Sequence, residues 1–146
     1  RVSMGYPAAA AEIAMLTQHS STTPLTDLEA VTDTAELNKL IATVENVHVA
    51  ESVLAYVVAV PSSTRNRRVV TLGASPRASL QLVRAAKARA ALEGRGWVLP
   101  DDVQALAPTV LAHRLGLSFE ATAANRNAHA VVSDILAHTP VPPTAH

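Results

Sequence analysis

Apolar residues fall three and four positions apart over most of this chain, the spacing that lines one face of an α-helix. The pattern is clearest from Leu72 to Gly96, which reads as one long helix. Ser75 is a good N-cap, Pro76 suits the first helical position, where its missing N–H is harmless, and Gly94 and Gly96 stop the run. At about 100° per residue, Ala78, Leu82, Val83, Ala85, Ala86 and Ala90 share one side, predicted to face other helices. Arg77 and Arg84 fall on the opposite side. A cation in the first turn opposes the helix dipole, so Arg77 is either a solvated side chain or an arginine aimed at an anion.

The same spacing predicts four further helices and one remnant. Ala8 to Gln18 carries Ile13 and Leu16 and follows Arg1 to Met4, a possible short strand broken by Gly5-Tyr6-Pro7. One strand makes no sheet, so residues 1 to 19 are expected to be locally disordered. Asp33 or Thr34 caps a helix whose Leu37, Leu40, Ile41 and Val44 form a buried stripe, ending near Asn46. Val47 to Val49 is an extended link. Glu51 to Thr64 is apolar nearly all round, through Val53, Leu54, Val57, Val58 and Val60, and is predicted to be central, kinked or ended early by Pro61. Ser62 to Arg68 reads as a basic loop, with Val69 to Leu72 leading into the long helix.

After Gly96, Trp97 to Leu99 is extended, with the single Trp as a packing anchor. Pro100-Asp101-Asp102 opens a helix whose acidic groups suit its N-terminus and whose apolar face is Val103, Leu106, Val110 and Leu111, with a bend at Pro108. Gly116 to Asn127 reads as a loop. Ala128 to His138 is the last helix, with Val131, Val132, Ile135 and Leu136, and a Pro-rich tail follows. The reading is an all-α small helical bundle with a short N-terminal strand-helix remnant. Its divisions are 1–19, a 20–33 linker rich in Ser, Thr and Asp, the 34–139 bundle and a flexible 140–146 tail.

Composition narrows the chemistry. The 146 residues suffice for one compact domain, and 49% hydrophobic with only 3% aromatic residues implies a core of Ala, Leu and Val. Twelve basic and twelve acidic residues cancel, so a nucleic-acid or anionic-membrane partner would need a local patch. With no Cys there is no disulfide, thiolate nucleophile or Cys-based zinc site, which fits a cytoplasmic setting. The six His show no i, i+3 or i, i+4 pair, so no metal site is expected. The five Gly never stand as G-x-x-x-x-G-K-[ST] requires, so the chain carries no P-loop and no complete active site. The start at Arg1 rather than Met suggests a piece of something longer.

Residues 72 to 115, LGASPRASLQLVRAAKARAALEGRGWVLPDDVQALAPTVLAHRL, strongly resemble the C-terminal helical lid of MoxR-type AAA+ ATPases. The flanks extend the likeness: RVSMGYP is similar to the end of that family's nucleotide-binding core, and VHVAESVLAYVVAVPSSTR at 47 to 65 to its earlier lid helices. The resemblance implies that Arg77 is the sensor-2 arginine reaching the γ-phosphate of ATP, with Ser75 and Pro76 positioning it. It also implies ATP and Mg as cofactors of a full-length parent whose Walker A, Walker B, sensor 1 and arginine finger lie upstream. The parent is then a ring-forming, hexameric, chaperone-like ATPase working with von Willebrand factor A domain proteins. The piece alone is expected to be no enzyme and to bind no cofactor, its partners being the core and neighbouring subunits. Two other readings stay open. One is a nucleic-acid-binding helix using Arg77, Arg84, Lys87, Arg89 and Arg95, disfavoured because net charge is zero and Arg89 faces the apolar side. The other is a purely structural bundle. Arg89 is expected to pair with an unidentified acidic residue, while Arg84, His113 and Arg114 have no assigned role.

Overall fold

The structure, a computed structural model, describes residues 4–19 and 28–143. Two compact units divide inside one helix, between Lys39 and Leu40. The first holds α1 (Ala9–His19) and the opening of α2 (Thr34–Glu45). The helix expected over residues 8 to 18 forms as α1, whose Ala-rich AAAEIAML run has high intrinsic helix propensity. Ile13 and Leu16 nonetheless stay 64% exposed. The candidate strand lies almost wholly outside the described residues, Met4 being irregular, and so does most of the 20–33 linker. Asp33 caps α2 as anticipated, its Oδ1 accepting the Glu36 N–H at 2.7 Å.

The second unit, from Leu40 onward, contains α3 (Glu51–Arg65), β1 (Val70–Leu72), α4 (Pro76–Leu92), α5 (Pro100–Leu111), a 3-10 turn at Ala112–Arg114, β2 (Gly116–Leu117), α6 (Phe119–Ala123) and α7 (Ala128–His138). Helices α3, α4, α5 and α7 pack around one core of small and branched residues, with Val57, Val60, Ala78, Leu82, Ala86, Ala90, Val103, Ala107, Leu111, Val132 and Ile135 at its centre. The periodicity reading of α4 and α7 holds: every fourth residue from Ala78 to Ala90 is fully buried. Such small side chains let neighbouring helices approach closely.

Five expectations are corrected. The stripe on α2 is not buried: Leu37, Leu40 and Ile41 are about half exposed. Helix α3 is one-sided, with Leu54 and Val58 facing out while Val53, Val57 and Val60 face in. Pro61 neither ends α3 nor opens a loop at Ser62; the helix runs to Arg65 because Pro61 and Thr64 are buried against the core, which offsets the hydrogen bond Pro61 cannot donate. Trp97 is 56% exposed and Val98 is the anchor, because the extended segment alternates sides and a parallel bridge pairs Trp97 with His48. Finally, residues 116–127 are not a loop. Gly116–Leu117 pairs antiparallel with β1, and Ser118 caps α6 by accepting the Ala121 N–H.

Helix α4 ends where the glycines indicate. Gly94 has φ +71°, the Gly94 N–H donates to Ala91 O and the Arg95 N–H to Ala90 O, the two bonds of a Schellman motif. No helix among the described residues is long and apolar enough to cross a membrane.

Candidate nucleotide-sensing site

The segment before α4 is fixed to the last turn of α3 by two hydrogen bonds. Thr64, fully buried, donates its hydroxyl to Pro61 O at 2.6 Å and accepts the Ala74 N–H at 2.8 Å. Arg65 Nε donates to Ala74 O at 2.9 Å. Both backbone groups of Ala74 are therefore satisfied by α3 side chains, which suits a residue only 1% exposed. Beside it, a Cβ on Gly73 would meet Arg65 Cγ at 2.8 Å and Arg65 Cα at 2.9 Å, so only glycine allows this approach.

From this clamp the chain turns outward. Ser75 takes the extended N-cap conformation (φ −77°, ψ 164°), but its side chain makes no capping hydrogen bond, so it acts through backbone shape and not as the donor-satisfying cap expected. Pro76 occupies the first turn, with its fixed φ, and no acidic residue accompanies it there. Arg77 follows, exposed, without a hydrogen-bond or ion-pair partner among the described residues, while the adjacent Ala78 is fully buried and anchors the turn. The sequence pointed to Ser75, Pro76 and Arg77 but missed Thr64, Arg65 and Gly73. Reading Ser62–Arg68 as a loop hides the helical turn that aims Thr64 and Arg65 at Ala74.

Arg77, Leu80 and Arg84 lie three and seven residues apart and so share one face of α4. Leu80 lines two adjoining apolar grooves, each of about 640 Å³. One is walled by Leu40, Ile41 and Val44 of α2, the other by Leu54, Val57 and Val58 of α3. Leu40, Ile41, Leu54, Val58 and Leu80 are all more than 40% exposed, an uncovered apolar surface of the kind that marks an interface.

The other cations of α4 and its C-terminal turn are committed internally. Lys87 Nζ donates to Glu45 O at 2.7 Å. Arg95 grips Asp102 with two bonds of 2.8 and 2.7 Å and also reaches Glu93 at 2.6 Å. Arg89 Nε lies 3.2 Å from both Asp102 and Glu93, which supplies the acidic partners sequence reasoning could not identify. Asp102 is 2% exposed and also accepts the Leu99 N–H at 2.8 Å. Burial alone would raise its pKa; the hydrogen bonds from Arg95 and Leu99, with the charges of Arg95 and Arg89, hold it below the ordinary carboxylate value. Arg95 is correspondingly raised, chiefly by the Asp102 bond. The carboxylate read as a simple helix start is thus the hub joining α4 to α5. With Lys87, Arg89 and Arg95 occupied, the DNA-reading face loses three of its five cations.

Arg114 also turns inward, donating to Val110 O at 3.0 Å and hydrogen-bonding Gln81 of α4. His113 Nδ1 lies 3.1 Å from Thr109 O in the last turn of α5. Arg84 is exposed and has no partner among the described residues.

Helices α3, α4, α5 and α7 thus form a small helical bundle with Arg77 at the start of its longest helix. The sequence profile of the AAA lid domain matches residues 62–135, and the chain belongs to that family. Its relatives make it a MoxR-type lid. It is 31% identical over 151 residues to the chaperone MoxR1 of Mycobacterium tuberculosis, covering 97% of this chain and 40% of that protein. It is 37% identical over 142 residues to YeaC, an uncharacterised Bacillus subtilis protein, covering 97% of this chain and 44% of that one. A solved structure from Cytophaga hutchinsonii, described as a candidate ATPase, matches 96% of this chain and 45% of its own with a TM-score of 0.79 at 23% identity, a likeness of fold. The chain therefore spans less than half the length of the relatives it matches.

Proposed function

We propose that this lid supplies Arg77 as a sensor of the γ-phosphate of ATP bound, with Mg, by an AAA+ core, and that lid position follows nucleotide state. The observation that carries the reading is an exposed arginine with no acidic partner, in a first turn fixed by Thr64, Arg65 and Gly73. A guanidinium held this way can donate two parallel hydrogen bonds to phosphate oxygens and stabilise charge developing on the transferred group. Since Arg77 shares its helix face with Leu80, a body that brings phosphate to Arg77 also covers the apolar grooves. That supports the core of the same protein, or of a neighbouring subunit in a ring, as the occupant of this face. Closure onto the nucleotide would then bury apolar surface, coupling hydrolysis to ring conformation.

The chaperone-like activity and the von Willebrand factor A domain partners follow from the family resemblance and belong to the parent ATPase. Among the described residues no group of His, Asp or Glu is placed to hold a metal ion. Comparing ATP hydrolysis by the ATPase that carries this lid with its Arg77→Ala variant, beside the 146-residue chain alone, tests the reading. The expected result is a fall of at least about tenfold in hydrolysis for the variant and none by the chain alone. Unchanged hydrolysis in a folded variant would leave Arg77 a surface arginine.

A further inference from the structure

A second set of arginines gathers away from α4. Arg67 and Arg68, just beyond α3, and Arg126, just before α7, line one cleft of about 390 Å³ whose floor is Val69, Ala130 and Val131. Asp134 is its sole acidic lining residue, and its Oδ2 already pairs with Arg67 at 2.9 Å while its Oδ1 lies 3.4 Å from His138 Nδ1. Arg68 and Arg126 are both exposed and have no acidic partner among the described residues. In a chain of zero net charge, this concentrates uncompensated positive charge on one concavity.

We propose that this cleft binds an acidic peptide segment of a partner protein, an apolar side chain resting on the Val69, Ala130 and Val131 floor and flanking carboxylates meeting Arg68 and Arg126. Three features decide for carboxylates on a peptide over a compact phosphate. At the start of α7 the Ala130 N–H, one of the donors that could help cradle a phosphate, is already taken by Asn127 Oδ1 at 2.8 Å. The two free guanidiniums come from separate segments, with Arg67 held aside by Asp134. The floor is apolar, which suits a side chain and not a bare anion. This site shares no lining residue with the grooves beside Arg77, so it is independent of the nucleotide-sensing reading.

The test is fluorescence anisotropy with a labelled peptide of alternating Glu and Leu, titrated with the 146-residue chain at low and at about 150 mM salt. The expected result is saturable binding, weakened about tenfold or more in the double variant Arg68→Glu, Arg126→Glu and unchanged in Arg84→Glu, an equally exposed arginine elsewhere. Among the described residues neither the Arg68 nor the Arg126 side chain makes a hydrogen bond or ion pair, and circular dichroism checks that each variant is folded. No saturable binding overturns the proposal, as does an equal loss with Arg84→Glu, which would mean diffuse attraction. Inorganic pyrophosphate displacing the peptide at concentrations below the peptide's own would make the site a phosphate pocket and overturn it too.

Discussion

Replacing Thr64 by Val probes the clamp that aims Arg77. The substitution keeps a branched side chain in a fully buried position but removes the oxygen that accepts the Ala74 N–H at 2.8 Å. Ala74 is 1% exposed, so water cannot take over, and a buried donor left unsatisfied costs about 1–3 kcal/mol. The added methyl returns at most about 0.8 kcal/mol of apolar burial. The net loss is about 1–2 kcal/mol, which for a unit of ~100 residues lowers Tm by about 4–15 °C. Thermal and urea unfolding read the global effect, and amide exchange at Ala74 reads the local one. Thr64→Ser is the companion, since it keeps the oxygen and loses only a methyl; Ala74 should remain protected in Ser and not in Val. If Val matches the natural protein in stability while Ser falls well below it, Thr64 acts through methyl packing and the clamp argument fails.

Other perturbations follow from the same geometry. Gly73→Ala forces a Cβ to within 3 Å of Arg65, so Arg65 or the segment must shift; a loss of about 1–3 kcal/mol in urea unfolding is expected, against no change for Gly96→Ala, where a Cβ meets open space. Asp102→Asn removes the charge facing Arg95 and Arg89, and since both arginines are partly exposed the expected cost is about 2–3 kcal/mol. The pH dependence has a defined sign. Asp102 has its pKa depressed in the folded state, so its contribution is complete above the unfolded value near 4 and is lost as pH falls through the lower folded value. Urea midpoints measured at neutral pH and near pH 3 should therefore converge between the natural chain and Asp102→Asn, and a constant gap would contradict the assignment.

The helical architecture was legible because Ala78, Leu82, Ala86 and Ala90 repeat every fourth residue, and because Pro76 and Gly94 carry their positional meaning without tertiary help. The errors share a cause: each was settled by packing that local pattern does not encode. Pro61 signals a kink or early end, yet α3 continues past it to Arg65, one residue beyond the expected Thr64, with Pro61 and Thr64 buried. Leu40 and Ile41 had the period of a core stripe but line an open groove and stay about half exposed. Trp97 was assigned inward by residue type, whereas alternation along the extended segment put Val98 inside. At the site, Arg77 stood out because a cation in the first turn violates a local rule. Thr64 and Asp102 obeyed local rules as an unremarkable turn residue and a helix start, and their long-range bonds to Ala74 and Arg95 had no sequence signal.

The central claim is that Arg77 reads the third phosphate and not the nucleotide as a whole. The direct measurement is the affinity of the full-length protein carrying this lid for a non-hydrolysable ATP analogue and for ADP, each with Mg, in the natural and Arg77→Ala forms. The account predicts that the variant loses affinity for the triphosphate by about tenfold or more while ADP affinity stays unchanged. Equal losses for both nucleotides, or no loss for either, would contradict it.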